Sequence, residues 1–131
     1  MTETKSIIPF PLYDYKVHII FTDDIIKSAD KLADAGVLAK KHTVNATTQA
    51  FTVTPKNMPS SYIVLEYKAK IHTITHESYH ALVCMFRWIG ATHEEEVFAY
   101  HIGYLVHLVH QDQIKAQKKL EKVLDKQSKQ E

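Results

Sequence analysis

The stretch TITHESYHALVCMFRWIG (Thr73–Gly90) decides the reading of this chain. Ile74, Ala81, Leu82, Met85, Trp88 and Ile89 recur at helical spacing, which predicts a helix over Thr73–Ile89. Gly90 stands where a helix end needs a left-handed residue. Inside this helix lies His76-Glu77-Ser78-Tyr79-His80, an HExxH pattern. Residues i and i+4 lie one turn apart on the same face, so both imidazoles can reach one Zn²⁺ at about 2.0–2.1 Å. Glu77 is rotated off that face. It is therefore placed to hold and deprotonate a zinc-activated water rather than to ligate. A chain of this composition meets HExxH by chance about 0.04 times, and the bland alternative is a surface helix with two unrelated histidines.

Upstream, YKVHIIF (Tyr15–Phe21) is rich in β-branched and aromatic residues and predicts a strand. Thr22 can cap a helix carrying Ile25, Ala29, Leu32 and Ala33 on one face, with Gly36 as its stop. Thr-rich Thr43–Thr54 predicts a second strand and Tyr62–Lys70 a third, with Ile63, Leu65, Tyr67 and Ala69 on its apolar face. Downstream, a long helix is expected from Thr92–Glu95 towards Leu124, with an inner stripe of Ile102, Leu105, Val106, Val109, Leu120, Val123 and Leu124. Lys115, Lys118, Lys119, Lys122 and Lys126 then read as a solvated face. The expectation is an α+β domain in the order β-α-β-β-α-α, a three-stranded sheet backed by helices. It spans residues 1–131 as one unit, with 1–12 and 127–131 as flexible ends.

Composition removes several functions. With 16 Lys+Arg against 15 Asp+Glu, the chain lacks the basic footprint of a nucleic-acid binder. No apolar run approaches the roughly 18–20 residues of a membrane span. MTETKSIIPF has no apolar h-region, so a cytoplasmic protein is expected. One cysteine, Cys84, excludes an internal disulfide and a Cys-based zinc finger, and its apolar neighbours make it a small core residue. The nine histidines carry the remaining question.

A catalytic zinc keeps three protein ligands and one open position. The acidic run His93-Glu94-Glu95-Glu96 follows the next turn, although helix-dipole complementation and a Thr92–Glu95 capping box explain part of it. HESYH followed by IGATHEEEVFAYHIGYL resembles the gluzincin metallopeptidases, especially small ones encoded by bacteriophages. Their HExxH is followed by a Gly, then by a second helix with Glu-x-x-Ala-Tyr and a Gly-Tyr or Gly-Trp pair. The matching positions are Gly90, Glu96, Ala99, Tyr100, Gly103 and Tyr104, and the likeness covers about Ile71–Leu108.

The resemblance implies a minimal zincin-like domain holding one Zn²⁺ through His76, His80 and Glu96, with Glu77 as general base. It implies a polypeptide substrate, added as a strand along Tyr62–Lys70, and, for a phage-encoded chain, the host cytoplasm. Tyr100 either orients a zinc ligand through its hydroxyl or packs as an aromatic. His101 and Tyr104 are candidate oxyanion donors. Gly103 is expected to let the two helices approach closely.

The loop before Glu96 is shorter than in the family. In a strictly antiparallel pair Glu96 falls beside Phe86, about 9 Å along the helix from His80. Either Ala91–Glu94 runs extended, covering up to ~13 Å, or the helices cross at an angle, or the third ligand is His101, Glu95, Glu94 or His93. A non-catalytic zinc-binding module and a regulatory peptidase for one protein are the rival functions. Oligomeric state is not legible.

Overall fold

The computed structural model describes residues 1–91 and 94–130. Its strands are β1 (Glu3–Phe10), β2 (Tyr15–Thr22), β3 (Ala50–Val53) and β4 (Ser60–Glu66), and its helices α1 (Ile25–Asp34), α2 (Ile71–Ile89) and α3 (Glu95–Gln130). The strands form one mixed sheet in the order β1-β2-β4-β3. β2 and β4 are parallel, and β1 and β3 run antiparallel to their neighbours at the two edges. Among the described residues the domain is α+β, with a small mixed sheet, three α-helices and one 3-10 turn at Pro11–Tyr13.

The sheet has four strands rather than three. Residues 3–10, expected to be a flexible end, pair with β2 along their whole length. Pro9 has no N–H to donate, and an edge strand tolerates that. Ile8 and Phe10 turn into the core. Thr4 Oγ1 meets the Tyr67 hydroxyl at 3.0 Å, and Ser6 Oγ donates to Asp112 Oδ2 at 2.7 Å. The local sequence is a weak strand; pairing and these long-range bonds make it one.

β2 and β4 are the sheet's centre, and each buries apolar side chains on both of its faces, although Lys16 and Glu66 remain exposed at their ends. Val17, Ile19, Phe21, Ile63 and Leu65 pack with Ile74, Ala81, Leu82, Met85 and Phe86 of α2 and with Leu105, Val109 and Ala116 of α3. Ile20 and Val64 face the other way, onto Ile25 and Leu32 of α1. Asp24, rather than Thr22, caps α1 by accepting from the Lys27 N–H, while Thr22 Oγ1 accepts from the Asp24 N–H. Gly36 ends the segment at φ 79° and Gly90 caps α2 at φ 71°, both left-handed as a glycine stop requires.

Two strands are shorter than expected. Of the Thr-rich stretch, only Ala50–Val53 joins the sheet. Asn45 Oδ1 accepts from the N–H and hydroxyl of Thr47, and Thr48 Oγ1 accepts from the Asn45 N–H, so the backbone is diverted into a local turn. β4 stops at Glu66 because the next turn is clamped from α3. Gln113 Nε2 donates to the carbonyls of Tyr67 (3.1 Å) and Ala69 (2.7 Å), and Gln117 Nε2 donates to Tyr67 (2.8 Å). That clamp fixes where α2 begins.

α3 continues to Gln130, beyond the expected end near Leu124 and into the expected flexible tail. Val123 and Leu124, assigned to its inner stripe, are exposed instead. The five lysines of its polar side are exposed as expected. Among the described residues, no helix is long and apolar enough to cross a membrane.

Candidate metal centre and groove

Helix α2 carries His76, Glu77 and His80 on two different faces. His76 and His80 are exposed, and Glu77 is buried with only 6% of its surface accessible. The helical step explains the split. One residue beyond His76 is a rotation of about 100°, which turns Glu77 away from the imidazoles and towards the sheet.

The two imidazoles converge through the same atom. His76 Nε2 and His80 Nε2 lie 3.2 Å apart, with the rings nearly perpendicular at 76°. Two nitrogens bound to one tetrahedral zinc at about 2.0–2.1 Å stand roughly 3.3–3.4 Å apart, so this pair fits two corners of such a site. The same spacing suits an N–H···N hydrogen bond between one protonated and one bare Nε2. Tyr79 flanks the pair, its ring edge-on to His80 at 6.3 Å and to Phe98 of α3 at 5.5 Å.

Glu77 points to β3. Thr52 Oγ1 donates to Glu77 Oε2 at 2.5 Å and lies 3.1 Å from the Glu77 carbonyl oxygen. The other carboxylate oxygen, Oε1, stands 3.9 Å from His76 Nε2. Between β3 and α2 runs an open groove of about 380 Å³, lined by Ala50, Phe51, Thr52, Thr54, Glu77, His80 and Cys84. Cys84 is therefore half-buried beside the motif rather than a core residue. Its place follows from the helical repeat, since it lies one turn beyond His80. The edge strand beside the motif is β3. The expected one, Tyr62–Lys70, supplies β4, which is enclosed between β2 and β3.

The other candidates lie elsewhere. Among the described residues, no three His, Cys, Asp or Glu side chains come together as a metal site. Glu95 and Glu96 are exposed in the first turn of α3, where carboxylates complement the helix dipole. His93 and the Thr92 half of the capping box fall outside the described residues. His101 is not beside His80. Its Nδ1 donates to the Val97 carbonyl at 2.7 Å, its Nε2 meets the Tyr13 hydroxyl at 3.0 Å, and its ring packs on Phe10 and Phe86. Tyr100 and Tyr104 join His101 in a separate apolar pocket against Phe10 and Pro11. The antiparallel pairing puts Phe98, not His101, between Tyr79 and Phe86. Gly103 serves no close helix approach, since a Cβ there meets nothing within 4 Å.

Thr52 is the site residue that sequence reasoning missed. The Thr-rich strand was visible, but no spacing rule joins positions 25 residues apart. The chain matches no protein-family model, no curated protein and no solved structure.

Proposed function

We propose that the chain is a zinc metallopeptidase whose groove between β3 and α2 takes an extended polypeptide. The observation carrying this reading is the approach of His76 Nε2 to His80 Nε2 at 3.2 Å beside a buried, hydrogen-bonded Glu77 carboxylate. His76 and His80 would hold the metal, and Glu96 is assigned as the third donor on the gluzincin resemblance alone. Zinc bound there supplies Lewis acidity, polarising a scissile carbonyl and acidifying water. Glu77 accepts the proton of the attacking water at Oε1 and delivers it to the leaving amine nitrogen. β3 offers its unpaired edge to the substrate backbone, so binding draws on main-chain hydrogen bonds more than on side-chain identity.

The test begins with metal. Protein purified without added zinc is expected to carry about one Zn per chain, and Glu77→Gln should keep the zinc while losing peptide cleavage. A chain that binds no zinc after reconstitution would overturn the reading. Zinc-loaded wild type that cleaves nothing in a broad peptide library would overturn the catalytic part of the reading and leave a non-catalytic zinc-binding module as the function.

A further inference from the structure

We infer that Thr52 is a positioning residue: it anchors one oxygen of Glu77 to the edge strand and leaves Oε1 as the oxygen that moves the proton. The inference deepens the peptidase reading and rests on it for its catalytic part, while the anchoring itself rests on geometry alone.

A carboxylate taken out of water needs hydrogen bonds to offset its lost hydration. For Glu77 the short one comes from across the groove, from Thr52 Oγ1 to Oε2. The hydroxyl has one proton and two acceptors in reach, the carboxylate at 2.5 Å and the Glu77 carbonyl at 3.1 Å. The shorter contact, to the charged group, is the stronger. Oε1 is beyond hydrogen-bond range of His76 Nε2 at 3.9 Å. It is therefore the oxygen left for water on the side where the two imidazoles converge.

Threonine suits this task better than a longer polar residue. Its β-branch restricts χ1, so the hydroxyl is held by the strand and not by a flexible stem. Glu77, by contrast, has three side-chain torsions to fix. The strand that supplies the anchor also carries the free edge beside the groove. A peptide added to β3 is then registered against the same backbone that sets the base. Substrate and base share one reference, and misplacing a reacting group by about 1 Å can cost roughly 100-fold in rate.

The test compares Thr52→Val, which keeps shape and strand preference but removes the hydroxyl, with Thr52→Ser, which keeps the hydroxyl. Zinc-loaded proteins are assayed on an extended fluorogenic peptide, and metal-free proteins are crystallised in parallel. For Thr52→Val the expected result is a fall in kcat of roughly 100-fold with KM nearly unchanged, and a Glu77 carboxylate that has left its place against β3. Thr52→Ser should recover most of the rate and the wild-type carboxylate position. The inference is overturned if Thr52→Val keeps its kcat, if the loss sits in KM, or if serine does no better than valine. Should wild type cleave no peptide, the peptidase reading falls. The metal-free structures then decide the anchoring alone: a displaced carboxylate in Thr52→Val upholds it and an unmoved one refutes it.

Discussion

Replacing Gln113 and Gln117 by methionine tests the clamp that sets α2, and with it the site. Methionine nearly preserves the length and volume of glutamine while removing its N–H donors. In Gln113→Met the Ala69 carbonyl loses the donor at 2.7 Å, but the Tyr67 carbonyl keeps Gln117 at 2.8 Å. Ala69 is only half-buried, so water offsets part of the loss, and a cost of about 1–2 kcal/mol is expected. In Gln117→Met the Tyr67 carbonyl keeps Gln113 at 3.1 Å, and about 0.5–1 kcal/mol is expected. The double variant leaves the Tyr67 carbonyl, on a residue only 5% exposed, with neither donor. Its cost should exceed the sum of the singles by about 1–2 kcal/mol, well above the roughly 0.3–0.5 kcal/mol scatter of independent sites. Urea unfolding of the four proteins at constant m-value measures this cycle. A double variant that equals the sum of the singles would refute the shared-acceptor argument.

Further predictions bear on the site, on pH and on the core. His76→Ala and His80→Ala should each abolish stoichiometric zinc, and Glu96→Ala should weaken it by at least the roughly 10–100-fold that losing an outer-shell partner costs. Isothermal titration with zinc checks all three; unchanged affinity in Glu96→Ala moves the third donor to another residue. His101→Ala should leave zinc affinity intact, because both ring nitrogens are engaged by Val97 and Tyr13. Burial, and then nearby Lys16, hold the His18 imidazole below its ordinary range. The folded state therefore takes up that proton later than the unfolded chain. Its contribution to stability is intact above about pH 6.5 and is lost as pH falls towards the lowered value. His18→Phe, which can keep the stack on Tyr62 at 4.2 Å, should flatten that part of the acid limb in urea midpoints; an unchanged limb would count against it. Phe86→Ala, at a site 2% exposed against Phe98 and His101, should cost about 3–5 kcal/mol by thermal unfolding.

The sequence made some elements legible because their signals are local. The period of α2, the glycine that ends it and the apolar run of β2 are all properties of neighbouring residues, and each appears within a residue or two of its expected bounds. β1 was hidden for the opposite reason. Its strand character comes from pairing with β2 and from bonds to Tyr67 and Asp112, which are remote in sequence. The seven residues before Ala50 were misleading because their threonines fit a strand by composition, while Asn45 captures Thr47 and Thr48 in a turn. Composition does not record which of the two wins.

The same distinction explains the site. HExxH fixes, through the helical repeat alone, that two imidazoles share a face and that the glutamate leaves it. What the repeat cannot supply is a group on the glutamate's side. With water there, Glu77 would be one more exposed carboxylate, free in three torsions. The turn at Asn45–Thr48 delays the strand until Ala50, and pairing with β4 then sets Thr52 opposite Ile63. Thr52 thereby reaches Glu77 from across the groove. A conformationally free carboxylate becomes an oriented one only through this non-local pairing. Sliding β3 by one residue would turn the Thr52 side chain to the opposite face of the sheet and release Glu77, while leaving every residue of the motif in place. The register of a four-residue edge strand is thus as necessary to the proposed chemistry as the motif itself.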